Sequence, residues 1–177
     1  MRIAILVGAT RRESTTALIL NYIANVIGNE GHEAAVFDLR EKPLPLYNDD
    51  DEEIHPHTSE LMDLVLHADA VVLGSPEYHG SVTGVLKNAL DYLGGDHFGD
   101  KAVLSVSSAG GAVGVSSLQH MQTIVRNLHG INSPEWISVG GAQRQFGPGG
   151  APESPDVQKR VHRAVSSFLR LAAKLRG

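Results

Sequence analysis

Apolar residues follow two rhythms along this chain. Unbroken or nearly unbroken runs occupy residues 3–7, 34–39, 68–73, 102–106 and 136–139. A run that is apolar throughout is what a parallel strand covered on both faces requires, and 34–39 is the weaker, edge-like member of the set. Between the runs, apolar residues recur about every 3.6 positions, the spacing of one helix face. Residues 14–27 carry Ala17, Leu20, Ala24 and Ile27 at that spacing, and 58–66 form a shorter segment. Residues 84–93 group Val85, Leu86, Ala89, Leu90 and Leu93, leaving Lys87, Asn88 and Asp91 outside. Residues 114–128 group Leu118, Met121, Val125 and Leu128, and 157–175 group Val157, Val161, Val165, Phe168, Leu169 and Ala172. Residues 42–56 and 143–155 read as loops.

Strand followed by helix, five times over, dictates right-handed βαβ units and a parallel sheet. The expected class is α/β: a flavodoxin-like three-layer sandwich with a five-stranded parallel sheet in the order 2-1-3-4-5. A two-halved dinucleotide fold needs a sixth strand that the pattern does not supply. No internal repeat is visible and neither loop reads as a linker, so residues 1–177 are expected to form a single domain. Hydrophobic residues at 42% and charged residues at 20% exclude a disordered chain. A formal net charge of −5 is a poor match for nucleic acid or an anionic membrane, and neither is expected as a partner. The absence of cysteine excludes thiolate nucleophiles, iron–sulfur clusters and Cys-based zinc sites. The first apolar run stops at Gly8, short of a signal sequence or a membrane span, so the expectation is a cytoplasmic protein.

Chemistry concentrates in the turns that follow the first, third and fourth runs. The first, Gly8-Ala9-Thr10-Arg11-Arg12-Glu13-Ser14-Thr15-Thr16, opens a helix. A helix N-terminus offers free N–H groups and partial positive charge, the hydroxyls add donors, and an arginine adds a full charge in fork geometry. There is no Gly-Lys-Ser/Thr and no Gly-x-Gly-x-x-Gly, so the loop suits a terminal monophosphate such as that of FMN; Ser14 or Thr15 acting only as a helix cap is the competing reading. The third turn, Gly74 to Gly84, carries Pro76, Glu77, Tyr78, His79, Gly80 and Ser81, a stiffened loop with rings and bare backbone where a flat heterocycle can lie. In the 2-1-3 order it neighbours the first turn across the switch point. The fourth, Ser105 to Gly114, is built of small residues including Ser107, Ser108, Gly110 and Gly111, which permit close backbone approach to a ring. The acidic run 49–53 with His55 and His57 reads as a solvated loop, and no metal is expected. The Gly-x-Ser-x-Gly elbow of a serine hydrolase is absent.

The stretch Pro76-Glu77-Tyr78-His79-Gly80-Ser81-Val82-Thr83-Gly84-Val85-Leu86-Lys87-Asn88-Ala89-Leu90-Asp91 closely resembles the signature of the NADPH-dependent FMN reductase family. Residues 8–14 look like that family's phosphate loop and 107–111 like its third flavin loop. The Glu-Tyr-His version is most similar to the FMN-dependent NADPH-azoreductase branch. Ala9 replaces a usual serine, His79 a frequent asparagine and Thr83 a common proline; Gly80-Ser81 is reversed in some relatives. The resemblance implies FMN as cofactor, with Thr10, Arg11, Ser14, Thr15 and Thr16 on its phosphate. It places Pro76, Glu77, Tyr78, His79, Gly80 and Ser81 along the isoalloxazine, with Ser107, Ser108, Gly110 and Gly111 closing its edge. It implies ping-pong hydride transfer from NADPH or NADH to a small-molecule acceptor: a quinone, an azo compound, chromate or free flavin. The flavin carries that chemistry, so no catalytic side chain is assigned. A homodimer or homotetramer is implied, with Lys87, Asn88 and Asp91 near its interface. An electron carrier of flavodoxin type and a supplier of reduced FMN to a monooxygenase are the rival functions.

Overall fold

A computed structural model describes residues 1–176. Along the chain come β1 (Arg2–Val7), α1 (Thr15–Asn29), β2 (Glu33–Asp38), α2 (Pro56–Leu66), β3 (Ala70–Pro76), α3 (Gly84–Asp91) and α4 (Gly95–Phe98). They are followed by β4 (Ala102–Ala109), α5 (Val115–Asn127), β5 (Ile131–Asn132), β6 (Ile137–Gly140), a 3-10 turn (Gly141–Arg144) and α6 (Pro155–Leu175). Every strand pairing is parallel. The sheet order is β2-β1-β3-β4-β5, with β6 also on β4, which is the flavodoxin-like arrangement expected from the pattern.

The fifth position differs in detail. Ile131 and Asn132 pair with Ala102 and Val103, and Ile137 to Gly140 pair with Val106 to Ala109. One strand position is therefore filled by two short strands, and the run expected at 136–139 is only the second of them. Pro134 lies in the interval and has no N–H to give to a ladder. Strands β3 and β4 also run about three residues further than their apolar runs, because Ser75 and Pro76 pair with Ser107 and Ser108. Ser107 and Ser108 thus belong to a strand rather than to a loop.

The layers follow from handedness. The chain steps from β1 to β2 in one direction and then to β3, β4 and β6 in the other. Right-handed crossovers must then put α1 on one face and α2, α3 and α5 on the opposite face. One core contains Ile3, Ile5 and Val7 with residues of α1 and α6. The second contains Ala4 and Leu6 with residues of α2, α3 and α5, and with Phe98 of α4. Within α1 the buried side chains are Ile19, Leu20, Ile23, Val26 and Ile27, whereas Ala17 and Ala24 lie at the margin. Of the expected face, Leu20 and Ile27 are buried and Ala17 and Ala24 pack at its edge, while the larger Ile19, Ile23 and Val26, which bury more apolar area, widen it.

The reversal leaves a crevice at the carboxyl ends of β1 and β3. The long loop before α2 is tied back toward it. Asn88 donates from Nδ2 to the Pro45 carbonyl at 2.7 Å and accepts from the Tyr47 N–H at 2.8 Å. Asn88 is thereby engaged within its own chain, and Lys87 pairs with Asp91 at 2.5 Å. No helix among the described residues is long and apolar enough to cross a membrane.

Candidate functional site

The first and third turns are stapled together through backbone. Gly8 donates its N–H to the Gly74 carbonyl at 2.8 Å. Thr83 donates from Oγ1 to the Gly8 carbonyl at 2.7 Å, and the same oxygen accepts from the Leu86 N–H at 3.2 Å, capping α3. The Thr83 N–H in turn reaches Ser75 Oγ at 3.0 Å. Thr83 is thus a structural bridge.

At the start of α1, Ser14 occupies the N-cap with extended backbone, yet its side chain makes no cap hydrogen bond, and the first turn holds no acid. Capping is therefore not what Ser14 does here. The helix start keeps free N–H groups and partial positive charge beside an uncommitted hydroxyl. Among the described residues the Arg11 guanidinium has only a long contact, 3.5 Å to the Glu13 carbonyl. Thr16 is fully buried and shares a 2.7 Å hydrogen bond with Ser108 Oγ, which fixes the helix start against the end of β4.

The third turn is a two-residue hairpin. Tyr78 and Ser81 exchange both backbone hydrogen bonds at 3.1 Å, and His79 and Gly80 have φ of 53° and 73°. Positive φ at both central positions is the type I′ geometry that favours Asn-Gly. His79→Asn is expected to raise stability by about 0.5 kcal/mol, or roughly 1–2 °C in thermal midpoint. A melting curve at or below that of the parent would show that the His79 backbone is not strained. The hairpin holds Tyr78 with about half its surface exposed. Ser81 Oγ hydrogen-bonds His120 Nδ1 at 2.9 Å, and Glu77 Oε2 accepts from the Ser117 N–H at 2.8 Å and hydroxyl at 3.0 Å. The Glu77 carboxylate thus sits on the N-terminus of α5 and anchors the turn there.

The fourth turn is held from both ends. Ser107 Oγ donates to the Gly114 carbonyl at 2.6 Å, and the Gly114 N–H donates to Ser138 Oγ at 2.8 Å. The carbonyls of Gly111 and Ala112 lean over Gly140, where any Cβ would collide with them.

These turns meet in a cleft of about 320 Å³ lined by Arg11, Ser14, Thr15, Pro76, Glu77, Tyr78, Ser108, Ala109, Gly110 and Arg144. That volume lies in the ordinary range for a small-molecule site. Other residues singled out in the sequence lie elsewhere. Thr10 faces a separate apolar cavity with Leu39, Leu44 and Val85. Thr16 and Ser107 are buried supports, and His79 and Gly80 form the exposed hairpin tip. Ser81 lies toward α5, and Gly111 leans on Gly140. Arg144 was not singled out in the sequence. It closes the 3-10 turn after β6, and the rule that ligands gather at the carboxyl edge of such a sheet is the signal that could have found it.

The sequence profile described as "NADPH-dependent FMN reductase" matches residues 1–144. An FMN-dependent NADPH-azoreductase of Staphylococcus aureus is 36% identical over 144 residues, covering 78% of this chain and 77% of that protein. Among solved structures, FerB, a flavoenzyme NAD(P)H:(acceptor) oxidoreductase from Paracoccus denitrificans, superposes with a TM-score of 0.83 at 21% identity. It covers 98% of this chain and 97% of its own. An oxidoreductase from Corynebacterium diphtheriae superposes with a TM-score of 0.79 at 20% identity over 98% of this chain and 97% of its own.

Proposed function

This chain belongs to the NADPH-dependent FMN reductase family, and from that premise we propose that its cleft holds FMN and that it passes two electrons from NAD(P)H to a small-molecule acceptor. The observation that carries this reading is the helix start inside the cleft: Ser14 caps nothing, and Arg11 and Thr15 line the same space. Such a donor set fits a phosphate monoester dianion. When bound, FMN supplies hydride acceptance and two-electron delivery.

The chain's own residues bind and orient. Arg11, Ser14 and Thr15 hold the phosphate, with Thr16 fixing their helix from below. Pro76, Glu77 and Tyr78 form the wall along the ring, and the hairpin tip of His79, Gly80 and Ser81 keeps that wall in place. Ser108 and Gly110 close the opposite edge, supported by Ser107 and Gly111. Thr10 borders the neighbouring apolar cavity and is left out of the phosphate set. Tyr78 offers an exposed ring beside the cleft, which suits a flat acceptor such as a quinone or an azo compound. We read residues 1–177 as one domain, working in the cytoplasm as a homodimer or homotetramer; equilibrium sedimentation decides the oligomer.

The test is direct. Protein loaded with FMN and desalted is expected to stay yellow, and anaerobic mixing with NADPH should bleach the flavin within the turnover time. A protein that keeps FMN without bleaching by either nicotinamide nucleotide is an electron carrier instead. One that binds no FMN refutes the assignment of the cleft. A subsequent panel of quinone, azo, chromate and free-flavin acceptors identifies the physiological class.

A further inference from the structure

Arg144 lines the same cleft as Arg11, on the side of β6. It closes the 3-10 turn that follows β6, and its Nε makes one contact, to the Gly141 carbonyl at 3.3 Å. No carboxylate pairs with it among the described residues. The turn that carries it is firmly placed. Arg160 of α6 donates from one guanidinium nitrogen to the Ser138 carbonyl at 2.9 Å and to Gln143 Oε1 at 2.8 Å. Ser138 is in turn bonded to the Gly114 N–H, so strand, turn and α6 form one unit. The hydrogen bond between Thr16 and Ser108 brings the start of α1 against the end of β4. β4 is the strand that pairs with β6, so α1 begins beside the turn bearing Arg144.

A guanidinium with no carboxylate partner among the described residues, held on a braced turn and lining the cleft beside Ser14 and Thr15, offers a charge-assisted hydrogen-bonding group for an anion. We infer that Arg144 is a second phosphate-binding arginine, which with Arg11 brackets the phosphate of the cofactor and makes this site select the phosphorylated flavin over riboflavin. The inference rests on the FMN reading above. Two guanidinium charges balance a phosphate monoester dianion, whereas the N-terminus of α1 with Arg11 alone leaves it partly uncompensated.

Apo-protein is titrated with FMN and with riboflavin by flavin fluorescence, for the parent chain, Arg144→Gln and Arg144→Lys. Arg144→Gln is expected to weaken FMN about tenfold or more while leaving riboflavin binding unchanged, and Arg144→Lys, which keeps the charge but not the fork, should recover part of the loss. Equal weakening of both flavins would reduce Arg144 to a support of the fold and overturn the inference. Unchanged FMN affinity would also overturn it, including the outcome in which only the KM for NADPH rises and the arginine serves the nicotinamide nucleotide. Failure of the parent chain to bind FMN at all is a different result, because it removes the underlying reading rather than the role of Arg144.

Discussion

Gly8→Ala is expected to lower the thermal midpoint by roughly 6–12 °C, corresponding to about 3 kcal/mol of lost stability. A Cβ at this position would lie 2.7 Å from the Gly74 carbonyl oxygen and 2.7 Å from Leu86 Cβ. Neither neighbour is the far end of a flexible side chain, so relief requires β1, β3 or α3 to move. The movement would also break the bond from the Gly8 N–H to Gly74 and the bond from Thr83 to the Gly8 carbonyl, which join the first and third turns. FMN affinity should fall together with stability. Gly28→Ala is the matching control, since nothing lies within 4 Å of its Cβ position and alanine favours a helix. A Gly8→Ala protein melting within a couple of degrees of its parent would show that the two turns are not locked through this residue.

Arg11→Ala is expected to act in the opposite way, with a large effect on the ligand and little on the fold. The exposed Arg11 side chain has only its 3.5 Å contact to the Glu13 carbonyl. Its removal should leave the melting point of the apo-protein within about 1 °C of the parent. FMN binding should weaken by about 10- to 100-fold, the worth of a hydrogen-bonded charge on a phosphate, while riboflavin binding stays level. The same fluorescence titration reads both. If Arg11→Ala holds FMN as tightly as the parent, the phosphate does not lie at the start of α1.

The two variants separate what was legible in the sequence from what was not. Gly8 and Arg11 both stand in the turn after the first apolar run, and the chemistry of that turn could be read directly. The obstacle to Gly8→Ala could not: Gly74 and Leu86 meet Gly8 only because β1 and β3 are neighbours and α3 crosses above them. Thr83 stood in plain view in the third turn. Its partner lies 75 positions away, and nothing local announces the bond. Glu77 shows the same gap. Its place in the third turn was plain, but its engagement with Ser117 depends on how α5 docks. The buried face of α1 was legible in part: Leu20 and Ile27 lie in the core as the spacing predicts, and contact with the sheet added Ile19, Ile23 and Val26.

The short α4 and β5 apart, the alternation of strands with the five longer helices, the parallel sheet and the three unusual turns were determined by the sequence alone. Their signals are local: unbroken apolar runs for strands buried on both faces, helical periodicity between them, and turn residues at strand ends. Handedness then leaves few ways to connect such units. Tertiary structure decided the rest. It split the fifth strand on either side of Pro134, set Thr10 at the rim of a separate apolar cavity, buried Thr16 and Ser107, and set Arg144 on the lining of the cleft. Those outcomes depend on which distant side chains share a space after packing; the bond between Thr16 and Ser108 spans 92 positions. A side chain's direction and partner are set by that packing, and a one-dimensional pattern carries no measure of it.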